Sequence, residues 1–243
     1  MMAPTAKIKE LLQPGKEEQN RINERIRKAM AEQKRIALDE IPYGYRLDEN
    51  QRMVPDPIPA EHVKFLFEKL VEYAENPPEE LVQKVIDLYQ EEYGETLSHE
   101  EAKGKVSYTD VKDYVAAELF LKNMAFQLSG QPQTAETLRE FLTRPFDMKN
   151  PKKLLADYRE KIGKETPLTL WKQRMERMLG SGYCIGEITY YSQPEKHSIL
   201  SWMKAAPITV SDHHKPIIPK ELYAAARERR QKERSKGNLT PEH

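Results

Sequence analysis

The spacing of apolar residues predicts a chain built mainly from amphipathic helices. Residues 60–73 form a buried helix, because apolar side chains fill most of each turn there. A second helix ends near Gly94 and has an inner face made of Leu81, Val82, Val85, Ile86 and Tyr89. The strongest pattern of the middle region runs from residue 110 to 128, with Val111, Val115 and Leu119 in register.

Polar residues before proline or glutamate predict where helices begin. Asn76, Pro77 and Glu79 have the spacing of an N-cap, a first-turn proline and an N3 carboxylate. Ser98 begins a capping box, but Gly104 follows too soon for a long helix. Further helix starts are predicted at Thr134, Asn150-Pro151 and Thr166-Pro167. Gly163 is predicted to be a C-cap.

Strand signals flank this helical region. In residues 41–57 a turn at Gly44 and a polar excursion at residues 48–51 separate two short runs, which predicts a small hairpin. Residues 183–191 are rich in β-forming side chains. Their candidate partners, across the Gln193-Pro194 turn, are residues 199–203 and 208–210.

A last helix is predicted from about Pro219 to Lys236, charged throughout after Ala226. The predicted fold class is therefore α+β, predominantly α-helical with a small antiparallel β-hairpin or sheet.

The net charge of zero hides an uneven distribution. Residues 1–37 carry +4, residues 38–105 carry −10, residues 106–165 carry +1 and residues 166–243 carry +5. DNA-binding chains are normally basic, because neutralising phosphates supplies much of their affinity. The net charge thus argues against DNA binding, whereas the two basic ends of the chain permit it.

Three motifs resemble, in order, the recombinase domain of large serine recombinases. IPYGYRLDENQRMVPDP (residues 41–57) resembles the opening of that domain, where P-Y-G-Y-R leads through an acidic hairpin to V-P-D-P and a helix. WKQRMERMLGSGYCIGEI (residues 171–188) resembles its middle, a tryptophan-led helix that runs into Y-x-G and a strand. HKPIIPKELYAAARER (residues 214–229) resembles its close, where a histidine precedes I-I or I-V, a turn and an E-L-[FY] helix.

The resemblance implies a domain organisation. Residues 38–235 correspond to a recombinase-like DNA-binding domain, and residues 1–37 are basic amphipathic helices similar to the linker that precedes it in the family. Two features depart from the family: Gly180-Ser181-Gly182 replaces its N-P pair, and residues 94–166 form an enlarged or inserted helical segment. Residues 236–243 are predicted to be a disordered tail.

The catalytic residues of the resolvase-invertase family are not matched. Those enzymes attack DNA with a serine in a Y-x-R-x-S motif of a separate catalytic domain. Only 40 residues precede the matched domain, and none is serine. Ser107 follows Lys105-Val106 inside the matched span, but no cluster of arginines accompanies it to stabilise a developing phosphate charge. The chain is expected not to cleave DNA alone, and the family's cysteine-bearing zinc ribbon is also missing.

No metal or cofactor is predicted. The single cysteine, Cys184, excludes an internal disulfide and a cysteine-rich zinc site. His213 and His214 are adjacent, and neighbouring side chains of an extended chain point apart, which makes them poor partners in a metal site. The resemblance makes His214 a hydrogen-bonding loop residue.

The sequence also predicts a cytoplasmic protein with neither a membrane partner nor a small-molecule substrate. No apolar run approaches the roughly 20 residues that cross a bilayer, and a signal-peptide core is lacking.

Double-stranded DNA is the partner that the resemblance implies. The candidate contacts are the basic and aromatic residues of the motifs and the two ends: Tyr43, Tyr45, Arg46, Arg52, Lys172, Arg174, Arg177, Arg227, Arg230, Arg234, Arg21 and Arg25. For several of these a structural role is the open alternative. Both tyrosines can belong to the core, and the basic helices at either end, interspersed with glutamates, can be solvated faces or coiled-coil surfaces.

Two hypotheses about function follow. The first is a truncated or split member of a mobile-element recombinase, which binds DNA and acts in recombination with a catalytic subunit supplied in trans. Its expected protein partner is that catalytic subunit or a second copy of the chain. The alternative is a protein-interaction module that keeps the recombinase-domain fold and docks a basic partner on its acidic segment.

Overall fold

A computed structural model describes residues 41–146, 150–162, 168–191 and 207–237. The strands are β1 (Tyr45–Leu47), β2 (Met53–Pro55), β3 (Ile188–Tyr191) and β4 (Pro207–Val210). The helices are α1 (Pro57–Glu75), α2 (Glu79–Tyr93), α3 (His99–Lys105), α4 (Tyr108–Leu128), α5 (Ala135–Thr143), α6 (Pro151–Ile162), α7 (Leu168–Gly180) and α8 (Lys220–Gly237). This part of the chain is α+β and predominantly helical, with two small antiparallel sheets, which confirms the predicted fold class.

Some predicted features lie outside the described residues. They are the helices of residues 1–37, the C-cap at Gly163, the start at Thr166-Pro167, the turn at Gln193-Pro194, the strand at residues 199–203 and the tail beyond residue 237. Across the ranges that are described, none of the helices is long and apolar enough to span a membrane.

The hairpin predicted for residues 41–57 is confirmed. β1 and β2 pair antiparallel, and Tyr45 and Met53 are buried on the core side. The carboxylate of Asp48 accepts hydrogen bonds from the backbone N–H groups of Asn50 and Arg52, both at 2.9 Å. These bonds hold the connecting turn, as aspartate does when it bonds backbone groups just ahead of it.

The chain enters this hairpin at a position that only glycine fits. Gly44 has φ of +102°, and a Cβ there would lie 2.7 Å from Cδ1 of Ile217 and 2.9 Å from Cγ2 of Val63. Gly44 therefore fixes the close approach of the hairpin to α1 and to the chain before α8.

Gly44→Ala is expected to lower the free energy of unfolding by about 2–3 kcal/mol, because backbone strain and overpacking add. Urea unfolding followed by circular dichroism measures this. Gly94→Ala is the control, since Gly94 also has positive φ (+72°) but nothing lies within 4 Å of its added Cβ. Equal losses in the two variants would show that the contacts with Ile217 and Val63 add nothing.

Most of the predicted helix starts are confirmed, but that of α2 is wrong. Ser98 and Thr134 cap α3 and α5 by accepting the N3 backbone N–H, and α6 begins at Pro151. Asn76, by contrast, is the C-cap of α1, with its N–H bonded to the carbonyl of Glu72, and α2 begins at Glu79 after an extended Pro78. The reason is the pair of prolines, because a residue before proline is driven out of the helical region.

α4 is the central helix of the core. It packs against α1, α5, α6 and α7, and its predicted inner residues Val111, Val115 and Leu119 are all buried. α8 packs across α1 and reaches α7. The inner face predicted for α2 is only partly confirmed, since Leu81 and Val82 are buried while Val85, Ile86 and Tyr89 are half-buried.

A buried ion pair lies within this helical core. Nζ of Lys122 is 3.2 Å from Oε1 of Glu118, one turn earlier on α4, and donates hydrogen bonds to the carbonyls of Leu142 and Arg144 at the end of α5. Tyr73 on α1 donates to the other oxygen of Glu118 at 3.0 Å. Three helices are thus joined through one lysine and one glutamate.

The C-terminal region wraps around a short 3-10 turn, Tyr183–Ile185. β3 pairs antiparallel with β4, which confirms the predicted partner strand at residues 208–210. The expectation that His213 and His214 point apart is wrong: both are buried, and their Nδ1 atoms lie 3.1 Å apart. The local chain is not extended, because Asp212 has φ of +53° and turns it just before the pair.

Candidate nucleic-acid interface

Tyr43 belongs to an aromatic cluster that joins the start of the hairpin to α1 and α7. Its hydroxyl lies 2.6 Å from Nδ1 of His62, and the two rings are parallel. Its ring also meets the edge of Trp171, with centroids 5.4 Å apart. Trp171 is almost completely buried, at 2% exposure, so the cluster has a rigid base.

Arg174 lies on this cluster. Its Cζ is 4.4 Å from the centroid of the Tyr43 ring and 5.0 Å from that of Trp171, which precedes it by one helical turn. A guanidinium at such distances is attracted by the negative face of each ring. Among the described residues no carboxylate forms an ion pair with Arg174, so its charge is not neutralised by a close acidic neighbour.

Beneath the arginine, two buried polar atoms have no hydrogen-bond partner within the described structure, Nε2 of His62 and Nε1 of Trp171. Burial, with the nearby positive charge of Arg174, lowers the pKa of His62 to about 4. Burial likewise raises the pKa of the Tyr43 hydroxyl. Both groups are therefore neutral near pH 7 and leave Arg174 as the charged member of the cluster.

Tyr45 lies in the core. Its hydroxyl donates to the carbonyl of Tyr183 at 2.8 Å, and the edge of His214 packs on its ring with centroids 4.7 Å apart. His214 in turn places Nε2 2.7 Å from the same carbonyl, in agreement with its expected hydrogen-bonding role. Of the two roles left open for Tyr45, the structure thus supports the core one.

The remaining hairpin candidates, Arg46 and Arg52, are exposed on β1 and beside β2. In the described ranges neither has an acidic partner. Arg177, one turn beyond Arg174 on α7, is exposed as well and has no such partner there. With respect to the described residues, these three arginines therefore remain exposed without a counter-charge.

Other candidates form ion pairs inside the protein. Lys172 lies 2.7 Å from Asp113 on α4, and Arg230 of α8 lies 2.8 Å from Glu176 on α7. Glu176 also pairs with Lys112, at 2.6 Å. Lys172 and Arg230 therefore link α7 to α4 and α8. This structural role could not be predicted from the local sequence, because the acidic partners are distant along the chain.

The arginines of α8 whose side chains are described also contact other residues of the protein. Arg227 lies with Cζ 5.6 Å from the ring of Tyr223, and Arg229 pairs with Glu75 of α1 at 3.1 Å. The side chain of Arg234, and all of Arg21 and Arg25, lie outside the described residues.

The sequence did not point to His62 as a partner of Tyr43. It did contain a signal for the contact between Arg174 and Trp171, because their spacing of three residues puts the two on one side of α7. No group of three or more His, Cys, Asp or Glu side chains within the described ranges is arranged to hold a metal ion.

Charge is unevenly distributed over the described part of the chain. There Arg174, Arg177, Arg46 and Arg52 have no carboxylate partner, whereas α2 carries five carboxylates against one lysine.

Comparison of the chain with protein-family models, with curated proteins and with solved structures finds no match.

Proposed function

We propose that this chain is a DNA-binding protein of the recombinase-domain type, acting in DNA recombination with a catalytic subunit supplied in trans. The order of the three sequence motifs supports the family. The observation that carries the proposal is Arg174, held against Tyr43 and Trp171 with no carboxylate paired to it in the described structure.

A guanidinium stacked on aromatic rings is well suited to bind phosphate. Stacking covers the face of the group, while its N–H donors lie in its plane and match two phosphate oxygens at once. Contact with the rings also restricts the side chain before binding, which reduces the entropy lost on association. Arg174 therefore offers an oriented cation at low conformational cost.

The neighbouring arginines extend this contact. Arg177 follows on the same helix, and Arg46 and Arg52 lie on the hairpin that Tyr43 precedes. Lys172 and Arg230 are excluded from the proposed contact, because binding phosphate would require them to leave Asp113 and Glu176. The proposed interface is thus Arg174 and Arg177 on α7 with the two hairpin arginines.

Replacing Arg174 and Arg177 together by alanine is expected to weaken binding to every duplex. The slope of log K against log salt concentration should fall by about 1.8, since each lost phosphate contact removes about 0.9. If one of the two arginines reads a base edge, discrimination at one base pair should also fall by about 1–3 kcal/mol. Gel-shift titration over a salt series measures both quantities.

The matched control is Lys172→Ala with Arg230→Ala, which removes the same net charge from groups that are already paired. This control should leave the salt slope nearly unchanged, and circular dichroism should show the same helix content in both variants. Equal loss in the two double variants would show that total charge, rather than contact through Arg174 and Arg177, governs binding. Wild-type protein that binds no duplex at low salt would contradict the proposal and favour the protein-interaction module.

A further inference from the structure

One face of α2 is exposed over its second half in the described structure, beyond Glu80 and Lys84, which contact Tyr114 and Asp110 of α4. The residues Glu80, Lys84, Asp87, Leu88 and Glu91 follow each other at helical spacing along it. Leu88 is 51% exposed, and Tyr93, which is 59% exposed, ends the same helix. An apolar side chain flanked by carboxylates is complementary to a basic amphipathic helix, which presents apolar and cationic side chains together.

We propose that this outer face of α2 binds the chain's own N-terminal basic segment, residues 16–30. The segment has an apolar stripe, Ile22, Ile26 and Met30, and carries five Lys or Arg against three Glu. α2 carries five carboxylates against one lysine, so the charges are complementary. The apolar stripe covers Leu88, and the flanking arginines meet Asp87 and Glu91.

The length of the chain permits this contact. The hairpin begins just after Ile41 and adjoins the start of α1, whereas α2 follows the end of α1. α1 has 19 residues and is thus about 28 Å long. The apolar stripe ends at Met30, so residues 31–40 are left as the connection; the eleven residues from Met30 to Ile41 span up to about 38 Å when extended, which exceeds the length of α1.

Intramolecular binding gives the segment a different role from a DNA contact. Arg21 and Arg25 are then neutralised by carboxylates of the same chain, and phosphate has to compete with α2 for them. The inference does not depend on DNA binding through Arg174, because it concerns other residues and is tested without DNA.

Hydrogen exchange measured by mass spectrometry on the full chain tests the proposal. An isolated helix of about 15 residues is marginal in water, so slow amide exchange in residues 16–30 indicates docking. We expect this protection in wild type and its loss, several-fold faster exchange, in Asp87→Lys with Glu91→Lys. The matched control, Glu136→Lys with Glu140→Lys, makes the same charge change at the same spacing on α5 and should keep the protection.

A second variant guards against an effect on folding. Leu88→Ala preserves charge and helix propensity and should also speed exchange in residues 16–30, while the amides of α1 stay protected in every variant. The proposal is overturned if wild-type residues 16–30 exchange as an unfolded chain does, or if both α2 variants leave their protection intact. Protection that falls on dilution, together with a dimer mass at high concentration, would identify a second copy as the occupant and overturn the intramolecular contact.

Discussion

Lys122→Ala is expected to lower the free energy of unfolding by about 3–5 kcal/mol, among the largest effects of any single substitution in the described core. Lys122 is 2% exposed and contacts Glu118, the carbonyls of Leu142 and Arg144, and the face of the Phe65 ring at 5.1 Å. Removing the ammonium leaves a buried carboxylate without its counter-charge and deprives two carbonyls of their donor. Each of these losses carries a desolvation cost.

The measurement is urea unfolding followed by circular dichroism, with the slope checked for two-state behaviour. Lys84→Ala is the control, because its ion pair with Asp110, at 3.3 Å, is exposed and is expected to contribute at most about 1 kcal/mol. Lys122→Met with Glu118→Gln should recover much of the loss, since neither charge is then left unpaired. A Lys122→Ala loss no larger than that of Lys84→Ala would mean that water replaces the ammonium at the end of α5.

The apolar pattern predicted the central helix correctly but not this lysine. Val111, Val115 and Leu119 lie on the core side of α4 as their spacing requires, and Lys122 follows Leu119 by three residues on the same side. The sequence therefore places a lysine at a core position with a glutamate one turn before it. It marks the start of α5 at Thr134, but it does not show that the end of α5 packs against Lys122, where the carbonyls of Leu142 and Arg144 accept hydrogen bonds from the buried ammonium.

The candidate interface shows the same limit. The motifs selected Tyr43 and Arg174 independently, yet their contact depends on how α7 packs against the hairpin, which local spacing does not specify. The same is true of Lys172 and Arg230, whose acidic partners lie on other helices. Sequence reasoning identifies basic side chains, whereas tertiary packing decides which of them keep their charge available.

Acidification from about pH 6.5 to about pH 4 is expected to destabilise the fold through His62. Burial and the charge of Arg174 lower the pKa of His62 from 6.5 to about 4. Between these values the unfolded chain binds a proton that the folded chain does not, so the free energy of unfolding falls as the pH falls. A shift of that size corresponds to about 3 kcal/mol, present above pH 6.5 and lost on approaching pH 4.

His214 contributes in the same direction, because burial lowers its pKa to about 4 as well. Its edge packs against Tyr45, so its protonation brings a charge into the base of the hairpin. Carboxylates with lowered pKa, such as Glu61, held by Arg139 and Lys64 in spite of its burial, lose their contribution only at lower pH. The window between about pH 6.5 and pH 4 therefore reports mainly the buried histidines.

Urea unfolding at a series of pH values, for wild type and His62→Gln, measures the contribution of His62. Glutamine keeps a polar partner for the Tyr43 hydroxyl but binds no proton, so the pH dependence in this window should fall by about half, with His214 supplying the remainder. His99→Gln is the control: His99 is exposed and its hydrogen bond to Glu79 raises its pKa, so losing it should not reduce the acid sensitivity. If His62→Gln kept the full pH dependence of wild type, the imidazole of His62 would have to be solvated enough to take up its proton in the folded protein. The assignment of a neutral His62 beneath Arg174 would then be wrong.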